Sequence, residues 1–338
     1  MRAVGFNMPQ PITEDTSLID IDLPMPTAAG HDLLVEIRAV SVNPVDAKVR
    51  ASAPVEAGDH RVLGYDAAGV VKAVGPEVTL FQPGDAVFYA GALDRPGTNA
   101  EFHLVDERIV GRKPESLSFE QAAALPLTAI TAYEAMLHRM KVQEPVPGAA
   151  NAILIIGGAG GVGSIAIQLA RELTDLTVIA TASRPETQAW IRELGAHHVI
   201  DHSQPLAPQV EALGLGSPAF VFSTTETEQH LDDILALIAP QGRFCLIDDP
   251  KNPMDLRPFK RKALSIHWEL MFTRSLYQTE DMIEQHKLLD HVAELVDAGR
   301  IRTTLAETYG TINAANLKRA HAMIESGRAK GKIVLSGF

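Results

Sequence analysis

Gly157-Gly158-Ala159-Gly160-Gly161-Val162-Gly163 is the segment with the clearest chemical meaning. It spells G-x-G-x-x-G at Gly158, Gly160 and Gly163. The apolar run Asn151-Ala152-Ile153-Leu154-Ile155-Ile156 precedes it, and a helical pattern over 162–173 follows. A strand, a glycine turn and a helix in that order are the context a dinucleotide-binding fingerprint requires. In this reading Gly158 permits the tight turn, Gly160 lets the backbone approach a pyrophosphate, and Gly163 lets the helix pack on the strand. The free N–H groups at the helix start then face the phosphates. The alternative is a glycine-rich turn that holds nothing.

The end of the next strand, Thr177-Val178-Ile179-Ala180-Thr181, reports on which nucleotide is held. An NAD site offers Asp or Glu about 20 residues after the glycines, as acceptor for the ribose 2′-hydroxyl. Here the chain offers Thr181-Ala182-Ser183-Arg184 and no acid. An acid would repel a 2′-phosphate, whereas Ser183 and Arg184 donate to one, Arg with its charge. NADPH is the expected cofactor. The competing reading leaves Arg184 in solvent and makes Ser183 the cap of the following helix.

These residues need a scaffold, and the patterning supplies one. From Asn151 onward strands alternate with helices: His198-Val199-Ile200, Ala219-Phe220-Val221-Phe222 and Arg243-Phe244-Cys245-Leu246-Ile247 are strands, with helices over 185–195 and 226–238. Successive βα units predict a doubly wound parallel sheet in an α/β protein. The first third instead reads as short strands broken by Gly and Pro (33–42, 67–74, 84–88 and 100–105), which predicts a small β-barrel or sandwich. A helix capped by Ser118, with Gln121 at the capping-box position, and a longer helix over 128–140 link the two parts. A helix near 280–298 and a terminal strand at Lys332-Ile333-Val334-Leu335 complete the pattern. A chain of 338 residues exceeds the size at which one core stops growing, roughly 250–300 residues, so two domains are expected.

Bulk properties narrow the partners. A formal net charge of −12, with acids and bases interspersed, repels nucleic acid and anionic membranes. The one cysteine, Cys245, excludes an intrachain disulfide and a cysteine metal cluster. No signal-peptide pattern or spanning apolar stretch is present, so a cytoplasmic protein is expected.

Asn43-Pro44-Val45-Asp46, Gly64-Tyr65-Asp66-Ala67-Ala68-Gly69-Val70-Val71, Gly84-Asp85-Ala86-Val87, Leu125-Pro126-Leu127-Thr128-Ala129, the glycine loop and Gly331-Lys332-Ile333-Val334-Leu335 occur in one order. Together they resemble the medium-chain dehydrogenase/reductase superfamily over essentially the whole chain. The nearest branch is the quinone oxidoreductases that include zeta-crystallin, whose relatives are often labelled zinc-type alcohol dehydrogenase-like. The resemblance implies a GroES-like β-domain from residues 1–125 and 267–338, a Rossmann domain from 126–266, and a cleft where they meet. It also implies a homodimer through the Rossmann sheet edge, with 243–247 as the outer strand.

Carried over residue by residue, the resemblance puts Asn43 beside the nicotinamide ribose and the reacting carbonyl, and Thr128 at the nicotinamide end. Gly160, Gly161 and Val162 line the pyrophosphate. Ser183, Arg184 and His202 surround the 2′-phosphate, while Thr224 and Ile247 touch the cofactor from later strand ends. Met271-Phe272-Thr273-Arg274 lies along the nicotinamide, and Lys332 contacts the cofactor. The positions of the zinc ligands in metal-dependent relatives correspond to Asn43, Tyr65 and the 127–128 region. None is a good zinc donor, so no metal is expected. His197, His198 and His202 are close in sequence but flank a Rossmann strand. The implied reaction is hydride transfer from NADPH to a quinone or a related α,β-unsaturated carbonyl. Asn43, Tyr65 and Lys48 are the candidate donors to the developing oxyanion. Lys48 stands where relatives often carry Tyr. The rivals are an enone or enoyl-thioester reductase, a zinc alcohol dehydrogenase, and a non-catalytic NADPH-binding sensor.

Overall fold

The computed structural model describes all 338 residues, which divide into two compact units. The first comprises Met1–Ile130 with Phe272–Phe338, the second Thr131–Met271.

The first unit opens with β1 (Arg2–Phe6), β2 (Ile19–Asp22) and β3 (Asp32–Val42), followed by helix α1 (Pro44–Ser52), β4 (Arg61–Val62), β5 (Ala67–Val74), β6 (Ala86–Tyr89), β7 (Phe102–Asp106) and β8 (Val110–Arg112). Strand β3 alternates half-buried with buried residues before its last four positions all go inside. A solvent-edged strand thus runs into the core just before Asn43. There the chain turns, because Pro44 fits the first helical position and Asn43 with Asp46 closes a capping box. Helices α2 (Phe119–Ala123), capped by Ser118 and Gln121 as expected, and α3 (Pro126–Tyr133) lead onward.

The expected helix over 128–140 is not continuous. After Tyr133 the chain widens into a π-helix, Glu134–Arg139, with Met140 N–H bonded to the carbonyl of Ala135. Such insertions are rare and cluster at functional sites.

The second unit is then built by β9 (Ala150–Ile156), α4 (Gly161–Leu173), β10 (Thr177–Thr181), α5 (Pro185–Glu193), β11 (His198–Ile200), α6 (Leu206–Ala212), β12 (Pro218–Ser223), α7 (Thr227–Leu237), β13 (Arg243–Leu246) and β14 (Ser265–Trp268). The strands lie in the order β11-β10-β9-β12-β13-β14, all parallel. Leu154, Ile179, Val221, Phe244 and Phe259 fill one buried cluster. Each such side chain contributes about 1.5–3 kcal/mol on leaving water, which is why β9 and β12 read as unbroken apolar runs. The outer strand is β14, not 243–247. Its Ser265-Ile266-His267-Trp268 is half-exposed and mixed in polarity, so no apolar run marks it. Strand order reverses between β9 and β12, the place where open α/β sheets bind ligands.

The chain returns to the first unit with α8 (Thr273–Tyr277), α9 (Glu284–Asp297), β15 (Leu305–Thr308), α10 (Ala314–Glu325) and β16 (Lys332–Ser336). There β16 pairs antiparallel with β3, Ile333 opposite Val42, in a sheet ordered β15-β16-β3-β5-β6-β8. No helix is long and apolar enough to cross a membrane.

Candidate functional site

In the second unit the glycine loop joins β9 to α4, and each glycine has a separate reason. Gly157 takes the left-handed turn, at φ +82°, and a Cβ there would lie 2.4 Å from Thr224 Oγ1. The tight turn therefore belongs to Gly157 rather than to Gly158. Gly158 is a packing position, since its Cβ would meet that of Ala180 at 3.0 Å. A Cβ on Gly163 would strike the Gly157 carbonyl at 2.3 Å, so helix and loop could not approach as they do. Only Gly160 differs, for a Cβ there would meet nothing closer than the Gly157 oxygen at 3.5 Å. The space above it is open. Gly160 is the N-cap of α4, so Gly161, Val162 and Gly163 form the first turn, where helical N–H groups lack intrahelical acceptors. An anionic pyrophosphate suits this cradle.

The neighbouring strand ends are tied to the loop. Thr181 accepts the Gly157 N–H on its hydroxyl (3.0 Å) and the Gly158 N–H on its carbonyl (3.1 Å). Thr224, following β12, donates its hydroxyl to the Ile156 carbonyl (2.8 Å), and Ile247 is half-buried just past β13. Ser183 and Arg184 are half-buried at the end of β10. Arg184, not Ser183, is the N-cap of α5, so capping does not consume the Ser183 hydroxyl. The Arg184 guanidinium lies 3.2 Å from Glu186. His202 Nδ1 is 3.1 Å from Thr181 Oγ1. His197 is engaged elsewhere, accepting the Val178 N–H at 2.8 Å. The three neighbouring histidines therefore share no centre. A nicotinamide dinucleotide fits the residues of this unit.

In the first unit three sequence motifs converge on one carboxylate. Asp66 accepts from Leu127 N–H (2.7 Å), Asn43 Nδ2 (2.8 Å) and Lys332 Nζ (2.9 Å). Lys332 also donates to Asn43 Oδ1 and to the Val42 carbonyl. Its three protons thus meet protein acceptors, and Lys332 holds Asn43 and Asp66 together. Asn43 is equally occupied. Its amide donates to Asp66 and, at 3.5 Å, to the Ser41 carbonyl. Asp46 lies in the same core, accepting from Asn43 N–H (2.8 Å) and Gly64 N–H (2.9 Å). Gly64 is required there, since at φ +111° its Cβ would come within 2.4 Å of Thr98 Oγ1.

Two carboxylates and one ammonium share this dry region. Burial pushes Asp46 up to about 7 and raises Asp66 as well, against the pull of Lys332. Tyr65 is 1% exposed and meets Phe272 edge-on, ring centroids 5.4 Å apart. Its hydroxyl donates to no protein acceptor, while the Arg61 guanidinium acts on its oxygen by charge and by a hydrogen bond. Burial, then the Asp46 charge, pushes it up to about 12, so it stays a proton-bearing donor. Lys48 is exposed on α1, two residues after buried Asp46. Thr128 is buried on α3, with its hydroxyl donated to the Leu125 carbonyl (3.1 Å).

The sequence reading missed Asp46 and Asp66 as site components. Both sat in quoted motifs, and Asn-x-x-Asp ahead of a helix is a capping signature that flags the first. It also missed a carboxyl pair in the second unit. Arg139 on the π-helix donates to Glu269 (2.7 Å) and lies 3.8 Å from Glu134. Burial and the Glu134 charge push Glu269 up to about 8. Nothing local announces a contact spanning 130 residues.

Zinc does not fit. Positions 43, 65 and 127 do come together around Asp66, but they present an engaged carboxamide, a phenol and a backbone N–H. No group of three His, Cys, Asp or Glu side chains is placed to hold a metal ion, whereas zinc takes thiolate, imidazole or carboxylate ligands in a tetrahedral set.

Comparison with known proteins agrees with this architecture. Residues 29–115 match the alcohol dehydrogenase GroES-like domain, and 194–335 match the zinc-binding dehydrogenase family. A zinc-type alcohol dehydrogenase-like protein of Staphylococcus aureus is 38% identical over 337 residues, covering 99% of this chain and 100% of that one. A crystal structure from Rhizobium etli CFN 42, which carries the name zinc-dependent alcohol dehydrogenase, is 68% identical. It superposes with a TM-score of 0.98 over 100% of this chain and 98% of its own. The quinone oxidoreductase of Coxiella burnetii is 25% identical, with a TM-score of 0.81 over 100% and 99% of the two chains. The chain belongs to the medium-chain dehydrogenase/reductase superfamily of oxidoreductases, among its zinc-type alcohol dehydrogenase-like members.

Proposed function

We propose that this oxidoreductase uses NADPH to reduce quinones or related α,β-unsaturated carbonyls, without zinc. The observation that carries the reading is the acid-free end of β10, Thr181-Ala182-Ser183-Arg184, where an NAD site has its ribose-binding carboxylate; His202 is hydrogen-bonded to Thr181 there. The likeness to quinone oxidoreductases supports the acceptor class.

Bound NADPH supplies the hydride. The chain's own residues supply binding, orientation and a proton. Gly160, Gly161, Val162 and Gly163 would hold the pyrophosphate, with Gly158 keeping loop and sheet in register and Thr224 and Ile247 closing the strand ends. Ser183, Arg184 and His202 would take the 2′-phosphate, and Thr128 and Phe272 would serve the nicotinamide end. Tyr65 donates to the developing oxyanion of the substrate, its hydroxyl being buried, protonated and unspent. Asn43 is held in the site by Asp66 and Lys332, and exposed Lys48 is a second donor to the oxyanion. The protein acts as a homodimer in this reading, with β14 as the edge available for pairing.

The test is NADPH and NADH oxidation with 1,2- and 1,4-quinones, enones and aldehydes, before and after exhaustive chelation. Turnover of quinones or enones with NADPH, unchanged by chelation, is expected. Turnover only of aldehydes or alcohols, or loss of activity on chelation, overturns it.

A further inference from the structure

His202, which the proposed function assigns to the 2′-phosphate, has a second imidazole beside it. His230, in the first turn of α7, faces His202 with ring centroids 6.4 Å apart at 60°. It exposes only 5% of its surface. Thr227, which starts the same helix, is pinned to Asp248 (N–H to Oδ2, 2.8 Å) and to Ser223 Oγ (2.7 Å). The ring is therefore held on a fixed element. Thr181 Oγ1 already accepts the Gly157 N–H, so its own proton is free for His202 Nδ1. When Thr181 donates to Nδ1, neutral His202 carries its hydrogen on Nε2, as a donor pointing away from Thr181.

We propose that His202 and His230 form a proton-linked receptor for a phosphomonoester on the adenosine ribose, with His230 a specificity-determining residue, so that preference for NADPH over NADH strengthens as pH falls. The proposal rests on the reading that the second unit binds NADPH. The charges facing the pair are mixed. Asp201 favours protonated His202 and Arg184 opposes it; Asp233 and Glu226 favour protonated His230 and His202 opposes it. Burial holds both rings toward the neutral form in the free protein. A phosphate carrying about −1.5 to −2 charge reverses that balance. Binding then takes up protons, and affinity declines once the pH is too high to supply them. NADH lacks the phosphate and has no such linkage.

The experiment titrates NADPH and NADH into the full-length protein, following cofactor fluorescence at about pH 6.5 and about pH 8.5. For the unmodified protein the Kd for NADPH should weaken about tenfold across that range, and the Kd for NADH less than about twofold. His230→Gln and His230→Asn should weaken NADPH about 5–10-fold at the lower pH, flatten its pH dependence, and leave NADH binding intact, which shows the variants folded. NADPH binding by both variants with unaltered pH dependence overturns the proposal alone. Equal affinity for NADPH and NADH at both pH values overturns the NADPH reading beneath it.

Discussion

Lys332 Nζ lies 2.9 Å from Asp66 Oδ2, both side chains at most 3% exposed, across 266 residues of sequence. The pairing exists because β16 lies antiparallel to β3, which brings the C-terminal strand against Asn43 and the loop that carries Tyr65 and Asp66. A buried ion pair need not stabilise a fold, but removing one partner strands the other in a dry core.

Lys332→Met should therefore destabilise the protein by about 3–5 kcal/mol, read as a lower urea midpoint. Adding Asp66→Asn should recover much of that loss, because the uncompensated carboxylate is gone. Equal stability of the single and double variants would show that the pair is not coupled.

Tyr65→Phe should separate stability from activity. The ring keeps its edge-on contact with Phe272 and loses a buried hydroxyl that donates to no protein acceptor, so thermal stability should change by less than about 1 kcal/mol. Quinone reduction should fall about 10²–10³-fold in kcat, the usual loss for one oxyanion donor. Unchanged kcat would remove Tyr65 from the chemistry.

Two glycine substitutions should fail in different ways. Gly160→Ala has room for its Cβ and an allowed backbone at φ −71°, ψ 176°, so folding should be unaffected or improved by about 0.4–1 kcal/mol. Its methyl enters the space assigned to the pyrophosphate, so NADPH binding should weaken more than about tenfold. Gly163→Ala meets the Gly157 carbonyl and should lower stability and binding together. Calorimetry and cofactor titration on both proteins check this contrast.

Asp46 gives a pH signature. Its folded pKa is raised from 3.8 to about 7, so the folded state binds more protons than the unfolded state between those values. Its stabilising contribution is complete below about pH 4 and is lost as pH rises through 7, at no more than about 1.4 kcal/mol per pH unit. Asp46→Asn should therefore flatten the fall in stability between pH 5 and pH 7, measured by urea unfolding. An identical slope in both proteins would place the proton elsewhere.

Sequence alone determined the local features of this protein. The strand–glycine–helix spacing around Gly160, the apolar runs within β9 and β12, and the absence of an acid after Thr181 are all features of a few neighbouring residues. Tertiary structure decided which side chains meet. The convergence of Asn43, Asp66 and Lys332, the facing rings of His202 and His230, and the Glu134–Glu269 pair all depend on strand order and register. The same holds for the passage of the turn from Gly158 to Gly157, and for β14 as the sheet edge. Periodicity reports which face of an element is buried, not which distant element covers it. Those pairings therefore emerge only once the chain has closed on itself.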